Sequence, residues 1–344
     1  MSQAMTEIAG NRELCERLIE DTRSGSLSHA YIIEGASGSG RKTIALNVAA
    51  ATACERLSDD GTPTPCLLCP SCKKILERKS TDVIFVKDET KASVGVDLVR
   101  FIREDVRIIP NDIDNKFYII ENADKMTEQA QNALLLTLEE PPSFARFFLI
   151  CNDASSLLET IRSRAITLRT QRLCDCEVDS YISSHYAEAK QMKLASQAEY
   201  QELIKASAGG IGRAIEYLTD PKAWKTARDR REFIRTLASE ALSGASPEKL
   251  IPLLTKLSSS RDALSEELSL FALAVRDLMV SKKSDSPTLE FYCDENEAIE
   301  LSDKVSLSFL YTLYQNISIA SEENARNANV RLLTTKLAIN SKII

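Results

Sequence analysis

Short apolar runs alternate with helix-like segments over residues 1–172. The apolar runs are rich in β-branched and aromatic residues, which is typical of buried strands. The segments between them, such as KTIALNVAAATACERL and TEQAQNALLLTLEE, have helical periodicity. Strands that alternate with helices predict βαβ units and a parallel sheet. The five predicted strands cover residues 29–35, 82–88, 116–122, 146–152 and 165–169.

The strand pattern ends near residue 172. Residues 173–221 predict a few short helices. Residues 222–344 contain one glycine and three prolines, and their leucine- and alanine-rich periodicity predicts an all-α domain. The predicted architecture is therefore an α/β core, a segment of short helices and an all-α C-terminal domain.

Composition and charge narrow the classes of function. An apolar fraction of 44% and a charged fraction of 27% are ordinary for a globular protein. The net charge of -7 argues against a protein that coats nucleic acid through bulk electrostatics. No apolar run approaches the ~18 residues of a membrane span, and the acidic N-terminus has no signal-peptide pattern. We expect a cytoplasmic protein without a membrane partner.

The stretch GASGSGRKTIAL follows the first predicted strand and has the glycine spacing of a phosphate-binding loop. Gly35 and Gly40 are separated as in the P-loop pattern, and Gly38 lies between them. In a working P-loop, backbone N–H groups cradle phosphates, a Lys reaches the β and γ oxygens, and a Ser or Thr binds Mg²⁺. The glycines therefore predict a strand–turn–helix unit of P-loop form.

The side chains after the last glycine do not match P-loop chemistry. Arg41 stands in the Lys position, and Lys42 stands in the Ser/Thr position, where an ammonium would repel Mg²⁺. A shifted register that used Lys42 and Thr43 would rotate the helix by ~100° and move both groups off the phosphate. Three interpretations remain open at this point: a turn without a ligand, weak or vestigial nucleotide binding, and ATP hydrolysis.

The strand KFYIIEN tests those interpretations. A Walker-B strand ends in an Asp for the Mg²⁺ shell, and in many ATPases a Glu that polarises water follows. Here the strand ends in Glu121 and Asn122. Glu121 could replace Asp with one extra methylene, but Asn122 cannot accept a proton. The glycine loop and the Walker-B strand are therefore both altered at their catalytic positions. Together they predict a nucleotide site that does not hydrolyse ATP.

Four of the nine cysteines lie within nineteen residues, at Cys54, Cys66, Cys69 and Cys72. Short CxxC steps let thiolates share one tetrahedral ion, and four ligands close the site, so the spacing favours structural Zn²⁺ in a module inserted at residues 54–72. An iron–sulfur cluster and free thiols are the alternatives. We interpret Cys174 and Cys176 as packing or surface thiols. Cys15, Cys151 and Cys293 resemble ordinary core residues, and disulfides are not expected in a reducing compartment.

Arginines mark two further positions. LLETIRSRAITL places Arg162 and Arg164 at a helix-to-strand junction. Their spacing fits two solvated residues, or an arginine that reaches a phosphate on a neighbouring subunit. Arg213 is at the start of a predicted helix, after a glycine-rich turn, and could face the cleft that holds such a phosphate. Neither histidine has a triad-like set of partners, so nothing indicates a hydrolase or metal-dependent catalysis.

These motifs together resemble one known family. SLSHAYIIEGASGSGRKTIA, the CxxCxxC knuckle, NKFYIIENADKMTEQAQNALLLTLEEPP and LLETIRSRA follow one another as in the clamp-loader subunits of bacterial DNA polymerase III. The resemblance is strong over residues 5–175 and weak in the helical C-terminus. It implies an AAA+ ATPase-type core, a helical lid, and a C-terminal collar domain that joins subunits into a pentameric ring.

The resemblance also implies roles for residues and partners. The clustered cysteines would hold zinc, and Arg213 matches the sensor-2 arginine. Arg164, in Ser163-Arg164-Ala165, matches an arginine finger that serves the ATP site of an adjacent gamma/tau subunit. The family has Cys where Ala165 stands. The implied partners are the gamma/tau and delta subunits of a hetero-pentameric ring, the sliding clamp, and primed DNA reached through the complex.

Two other functions are alternatives to this one. An ATP-hydrolysing gamma/tau-type subunit should have Lys-Ser/Thr after the loop glycine and Asp-Glu at the end of the Walker-B strand. An independent AAA+ ATPase should bind and hydrolyse Mg-ATP alone. Because both elements depart from these patterns, the sequence favours a non-hydrolysing clamp-loader subunit with structural zinc and doubtful ATP binding.

Overall fold

The computed structural model describes residues 10–56, 65–87, 94–243, 252–257, 260–284, 287–326 and 328–340. The chain divides into two units. The first comprises residues 1–182 and 209–213, and the second comprises residues 183–208 and 214–344. The finer division of the sequence at residues 172 and 221 stays a prediction.

The first unit is built on one parallel sheet of five strands in the order β2-β3-β4-β1-β5. All five predicted strands are confirmed. Parallel strands are covered on both faces and therefore read as continuous apolar runs, which is why the sequence pattern located them. The strands are β1 Ala30–Glu34, β2 Val83–Val86, β3 Lys116–Ile120, β4 Ala145–Cys151 and β5 Ile166–Arg169.

Helices cover both faces of this sheet. Successive side chains of a strand point to opposite faces, so Tyr118 and Ile120 lie in one apolar core and Phe117 and Ile119 in the other. This arrangement confirms the predicted α/β core. The helices are α1 Arg12–Arg23, α2 Arg41–Thr52, α3 Pro70–Leu76, α4 Val96–Asp105, α5 Glu128–Glu139, α6 Glu159–Arg162 and α7 Asp175–His185, the last of which continues into the second unit.

Asp82, just before β2, fixes the loop that leads into β3. Its buried carboxylate accepts hydrogen bonds from the backbone N–H groups of Asn111, Asp112 and Ile113 at 2.6–3.3 Å. Buried backbone donors need such partners. One side chain therefore satisfies three consecutive donors where the chain has no regular structure.

Replacing Asp82 by Ala is expected to lower the free energy of unfolding of the first unit by about 2–4 kcal/mol, because several donors lose a charged acceptor together. Asp114→Ala, which removes an exposed acid from the same loop, should change it by less than about 0.5 kcal/mol. Urea unfolding of both variants gives the comparison. Equal changes in the free energy of unfolding for the two variants would show that the hydrogen bonds of Asp82 do not stabilise the first unit.

All the regular secondary structure that is described in the second unit is helical, and no strand follows Arg169 in the part of the chain that the structure describes. Its core is formed chiefly between three long helices, α11, α12 and α14. Among the described residues, no helix is long and apolar enough to cross a membrane. The helices are α8 Ala187–Ala195, α9 Gln197–Ser207, α10 Ile211–Thr219, α11 Pro221–Leu242, α12 Arg261–Ser281, α13 Glu295–Asp303, α14 Leu307–Ala325 and α15 Val330–Asn340, with α10 beginning in the first unit.

Two cysteine predictions are wrong. Cys174 and Cys176 are not separate thiols, because their sulfurs are bonded to each other in a disulfide at the start of α7. Their Cα atoms lie 5.3 Å apart, a separation that a disulfide can span. Cys293 is exposed and not a core residue, because it lies in the turn that leads into α13. Cys15 and Cys151 are buried as predicted.

Candidate nucleotide loop, arginine edge and cysteine cluster

The glycine loop, residues 35–43, joins β1 to α2 and packs closely against its own chain. Gly35 has a φ of 153°, and a Cβ there would lie 1.9 Å from Oγ1 of Thr170. Gly38 has a φ of 83°, and a Cβ there would lie 2.9 Å from the backbone N of Arg213. Both glycines are therefore required by close approach of protein atoms, whatever the loop once bound.

Residues 209–213, which include the start of α10, lie against this loop. The N–H of Gly212 donates to the carbonyl of Gly38 at 3.0 Å. The structure thus places Arg213 beside the glycine loop, as the sequence suggested. Its guanidinium makes no ion pair with any described residue. Gly40, which the sequence also placed in the site, is the left-handed residue from which α2 begins.

Lys42 pairs with the acid at the end of β3. Its Nζ lies 2.5 Å from Oε2 of Glu121, whose side chain is only 4% exposed. A buried carboxylate needs a counter-charge, and Lys42 supplies it. In a working P-loop the residue at the Lys42 position and the Walker-B acid share a Mg²⁺ ion. Here the ammonium contacts the acid directly.

Arg41 forms hydrogen bonds at the end of β4, the strand next to β1. It donates to the carbonyl of Cys151 and, at 3.1 Å, to Oδ1 of Asn152. The Nδ2 of Asn152 in turn donates to Asp124 at 3.1 Å. Burial is the main cause that lowers the pKa of Arg41. Sequence reasoning missed Asn152 and Asp124, although each follows a predicted strand that ends at the same edge of the sheet.

Thr43 and Asn122 take no part in these contacts. Thr43 is exposed on α2, consistent with its position one residue beyond the P-loop pattern. Asn122 is exposed and has a φ of 53°, in the left-handed region that Asn tolerates better than most residues. The backbone turn into Ala123–Lys125 therefore accounts for Asn122 without any catalytic role.

Arg164 lies between α6 and β5 and is about one-third exposed. Its Nη2 lies 2.9 Å from Oε1 of Glu139, and its Nη1 donates to the carbonyl of Thr160 at 3.0 Å. Arg162 is exposed, and its guanidinium makes no ion pair with a described residue. Of the two arginines at this junction, only Arg164 is held in a defined position by the surrounding chain.

Arg164 and the glycine loop lie at opposite ends of the sheet. In the parallel pairing of β1 with β5, Tyr31 lies opposite Ile166 and Glu34 opposite Arg169. Arg164 precedes the start of β5, whereas the loop follows the end of β1. At about 3.3 Å per residue, the two levels are separated by roughly 20 Å. One arginine side chain does not reach a phosphate in its own chain over that distance.

The four predicted metal ligands come together. The sulfur atoms of Cys54, Cys66, Cys69 and Cys72 all lie within 4.8 Å of one another. A tetrahedral ion with Zn–S bonds of about 2.3 Å needs sulfurs about 3.8 Å apart, so a small contraction would close the site. Backbone N–H groups also donate to the sulfurs of Cys54, Cys66 and Cys69 at 3.3–3.4 Å. The donor set fits one structural metal ion.

Without a metal, the thiols of Cys54, Cys66 and Cys72 differ in how readily they ionise. Burial opposes the ionisation of Cys66, but the N–H groups of Leu68 and Cys69 outweigh it and lower the pKa of Cys66 to about 6. Burial raises the pKa of Cys72 and of Cys54. A bound cation would favour the thiolate form of all four, because metal binding displaces the protons.

Comparison with known proteins shows which proteins the chain resembles. A family model described as "DNA polymerase III, delta subunit" matches residues 10–173. DNA polymerase III subunit delta' of Haemophilus influenzae is 30% identical over 232 residues, which cover 66% of this chain and 65% of that protein. Its counterpart in Bacillus subtilis is 33% identical over 193 residues, 55% of this chain and 57% of that protein. The chain is therefore similar to delta-prime subunits of DNA polymerase III over about half to two thirds of its length.

The chain is also similar to the longer tau and gamma subunits of DNA polymerase III. DNA polymerase III subunit tau of Bacillus subtilis is 29% identical over 216 residues, which cover 63% of this chain but 37% of that protein. The chain spans about a third to a half of the length of the first tau and gamma relatives that it matches. The parallel sheet and the helical second unit confirm the predicted α/β core with a helical C-terminal region.

Proposed function

We propose that this chain is the non-hydrolysing subunit of a bacterial DNA polymerase III clamp loader. In that role it joins gamma/tau and delta subunits in a hetero-pentameric ring, which places the sliding clamp on primed DNA. Arg164 supplies an arginine finger to the ATP site of the adjacent gamma/tau subunit. The observation that carries the proposal is the position of Arg164, held at the end of the sheet remote from the chain's own loop.

The glycine loop supports the non-hydrolysing part of the proposal. Lys42 neutralises Glu121, and Arg41 is bound to the end of β4, so neither basic side chain is directed to a phosphate. A gamma/tau-type subunit needs Mg²⁺ between the same two positions. Similar identities to tau and delta' relatives do not separate the two functions, and the contacts of Arg41 and Lys42 favour the non-hydrolysing one.

We further propose that the four clustered cysteines hold one structural Zn²⁺. Four thiolates complete a tetrahedral shell and leave no position for water, so the ion would have no catalytic role. Cys69 and Cys72 lie at the start of α3, which packs on α2. The metal would thereby fasten the inserted module to the helix that follows the glycine loop.

Reconstitution from purified subunits tests the proposed function. A loader assembled from gamma/tau and delta subunits without this chain is expected to form an incomplete ring. Hydrolysis of ATP stimulated by DNA should be lost at the gamma/tau site that this chain would contact. Ring size by native mass spectrometry and hydrolysis by phosphate release are the measurements. A ring of the same size and activity in the absence of the chain would contradict the proposal.

Restoring the P-loop side chains should restore affinity for nucleotide. In the double variant Arg41→Lys, Lys42→Thr, the lysine returns to its phosphate position, and the Thr hydroxyl and Glu121 become available to Mg²⁺. One charge-assisted contact is worth about 1.5–3 kcal/mol, so Mg-ATP affinity of the isolated chain should rise about tenfold or more. Calorimetric titration measures it, with Thr43→Ala as the control. Unchanged affinity would show that Lys42 does not exclude the metal.

A further inference from the structure

We infer that Glu139 is a positioning residue for Arg164, an inference that rests on the proposed function. Among the described residues, Glu139 is the acid with which Arg164 forms its ion pair, with Nη2 and Oε1 2.9 Å apart. The two residues are 25 positions apart in the chain, so the fold and not local sequence brings them together. Nothing in the glycine loop or the cysteine cluster requires this contact.

Glu139 is attached to a rigid element. It is the last residue of α5, whose first turn is capped by the Thr127 hydroxyl, which accepts a hydrogen bond from the N–H of Ala130. Leu134 and Leu138, on the same helix, are 0% and 1% exposed. The carboxylate therefore projects from a helix end that the core holds in place. A group that orients another side chain needs such support.

The guanidinium is held from a second side by α6. Nη1 of Arg164 donates to the carbonyl of Thr160 at 3.0 Å and lies 3.4 Å from Oγ of Ser163. The neighbouring Ile161 is fully buried, which anchors this short helix. Two helices that pack in the same apolar core thus define where the guanidinium lies, whereas an unrestrained arginine would lose the freedom of several rotatable bonds on reaching a phosphate.

These contacts leave some N–H donors of the Arg164 guanidinium available to a phosphate. Arginine has five N–H donors, and the contacts of Arg164 within the described residues use Nη1 and one N–H of Nη2. The Nε–H and the other Nη2–H have no acceptor there. A phosphate of a neighbouring subunit can therefore be bound while Glu139 and Thr160 keep the side chain in place.

The ion pair is weak, so Glu139 can orient Arg164 but cannot prevent it from binding a phosphate. The Arg164 and Glu139 side chains are 36% and 46% exposed, and exposed pairs of this kind contribute only about 0–1 kcal/mol. Such a pair cannot keep an arginine from a triphosphate with several negative charges. It can bias the rotamer of Arg164, and a bias of this size corresponds to at most about a fivefold change in rate.

The test uses the reconstituted loader with Glu139→Ala, Glu139→Gln and Arg164→Ala, each alone, and the double variant Glu139→Ala, Arg164→Ala. Glu140→Ala, which removes the adjacent exposed acid, is the matched control. We expect Glu139→Ala to lower kcat of DNA-stimulated hydrolysis two- to fivefold at the site that Arg164 contacts, without a change in KM. Glu139→Gln should lower kcat by a smaller factor, because the amide oxygen still accepts a hydrogen bond from Arg164. The double variant should be no slower than Arg164→Ala.

The outcomes separate this inference from the proposed function. Unchanged hydrolysis in Arg164→Ala overturns the finger itself, and the role of Glu139 with it. If Arg164→Ala is slow but Glu139→Ala matches wild type, or is faster, only the positioning role is overturned. An additive loss in the double variant assigns Glu139 an effect that is independent of Arg164 and also overturns the inference. Equal unfolding midpoints for Glu139→Gln and Glu140→Ala verify that these comparisons concern folded protein.

Discussion

Arg164→Ala is expected to lower ATP hydrolysis at the adjacent gamma/tau site by about 10³-fold or more. An arginine finger stabilises the charge that develops on the transferred phosphoryl group and is worth about 10³–10⁵ in rate. The loader as a whole should lose the share of its DNA-stimulated activity that this site provides. The structure supports this expectation because Arg164 is held at the end of the sheet that lies away from its own glycine loop.

Two substitutions serve as controls for that result. Arg162→Ala removes an exposed arginine two positions away and should leave the rate unchanged. Arg164→Lys keeps the positive charge but loses the planar fork of donors, so it should recover little of the lost activity. Phosphate release from the reconstituted loader, with and without primed DNA, is the measurement. An undiminished DNA-stimulated rate in Arg164→Ala would refute the finger assignment.

Removal of the proposed Zn²⁺ from the cysteine cluster should have the second large effect, a loss of stability in the cysteine module. Structural Zn²⁺ sites in zinc-finger peptides have apparent binding free energies of about 10–16 kcal/mol, comparable with the whole stability of a domain. A strong chelator, or Cys69→Ser, should therefore release the ion and expose the backbone amides of α3 to hydrogen exchange. The glycine loop, which lies at the other end of α2, should be affected less.

Metal analysis of the purified chain gives the direct measurement. One zinc per chain is expected for the wild type and none for Cys69→Ser. Cys293→Ser, which removes an exposed cysteine outside the cluster, should keep the full zinc content. Iron together with visible absorbance would instead indicate the iron–sulfur alternative. A chain purified without chelator that contains no metal would contradict the structural-site proposal.

The sheet and the cysteine cluster could be predicted because their signals are local. Each strand is a short apolar run, and the four thiols are brought together by CxxC steps and one intervening segment. The contacts of the glycine loop could not be predicted in this way. Lys42 lies 79 positions from Glu121, and Arg41 lies 111 positions from Asn152. Only the strand order, with β4 between β1 and β3, brings these residues to the same edge.

Some residues had a structural reason that a motif-based interpretation overlooked. Asn122 looked like a lost catalytic Glu, but its left-handed backbone accounts for an Asn at that position. Gly38 has the position of a residue in a phosphate cradle, but it also allows the first turn of α10 to approach. The disulfide of Cys174 with Cys176 was excluded on the expected compartment, whereas the geometry of the helix start brings the two sulfurs together.

Native mass spectrometry of the loader reconstituted in Mg-ATP tests the central claim most directly. If the chain is a non-hydrolysing subunit that acts on its neighbour, each complete ring should contain one copy of it and one nucleotide for each gamma/tau copy. Photo-crosslinking with an azido-ATP should then label gamma/tau and leave residues 35–43 of this chain unlabelled. Failure of the chain to enter the ring, or a further nucleotide crosslinked to its glycine loop, would contradict the account.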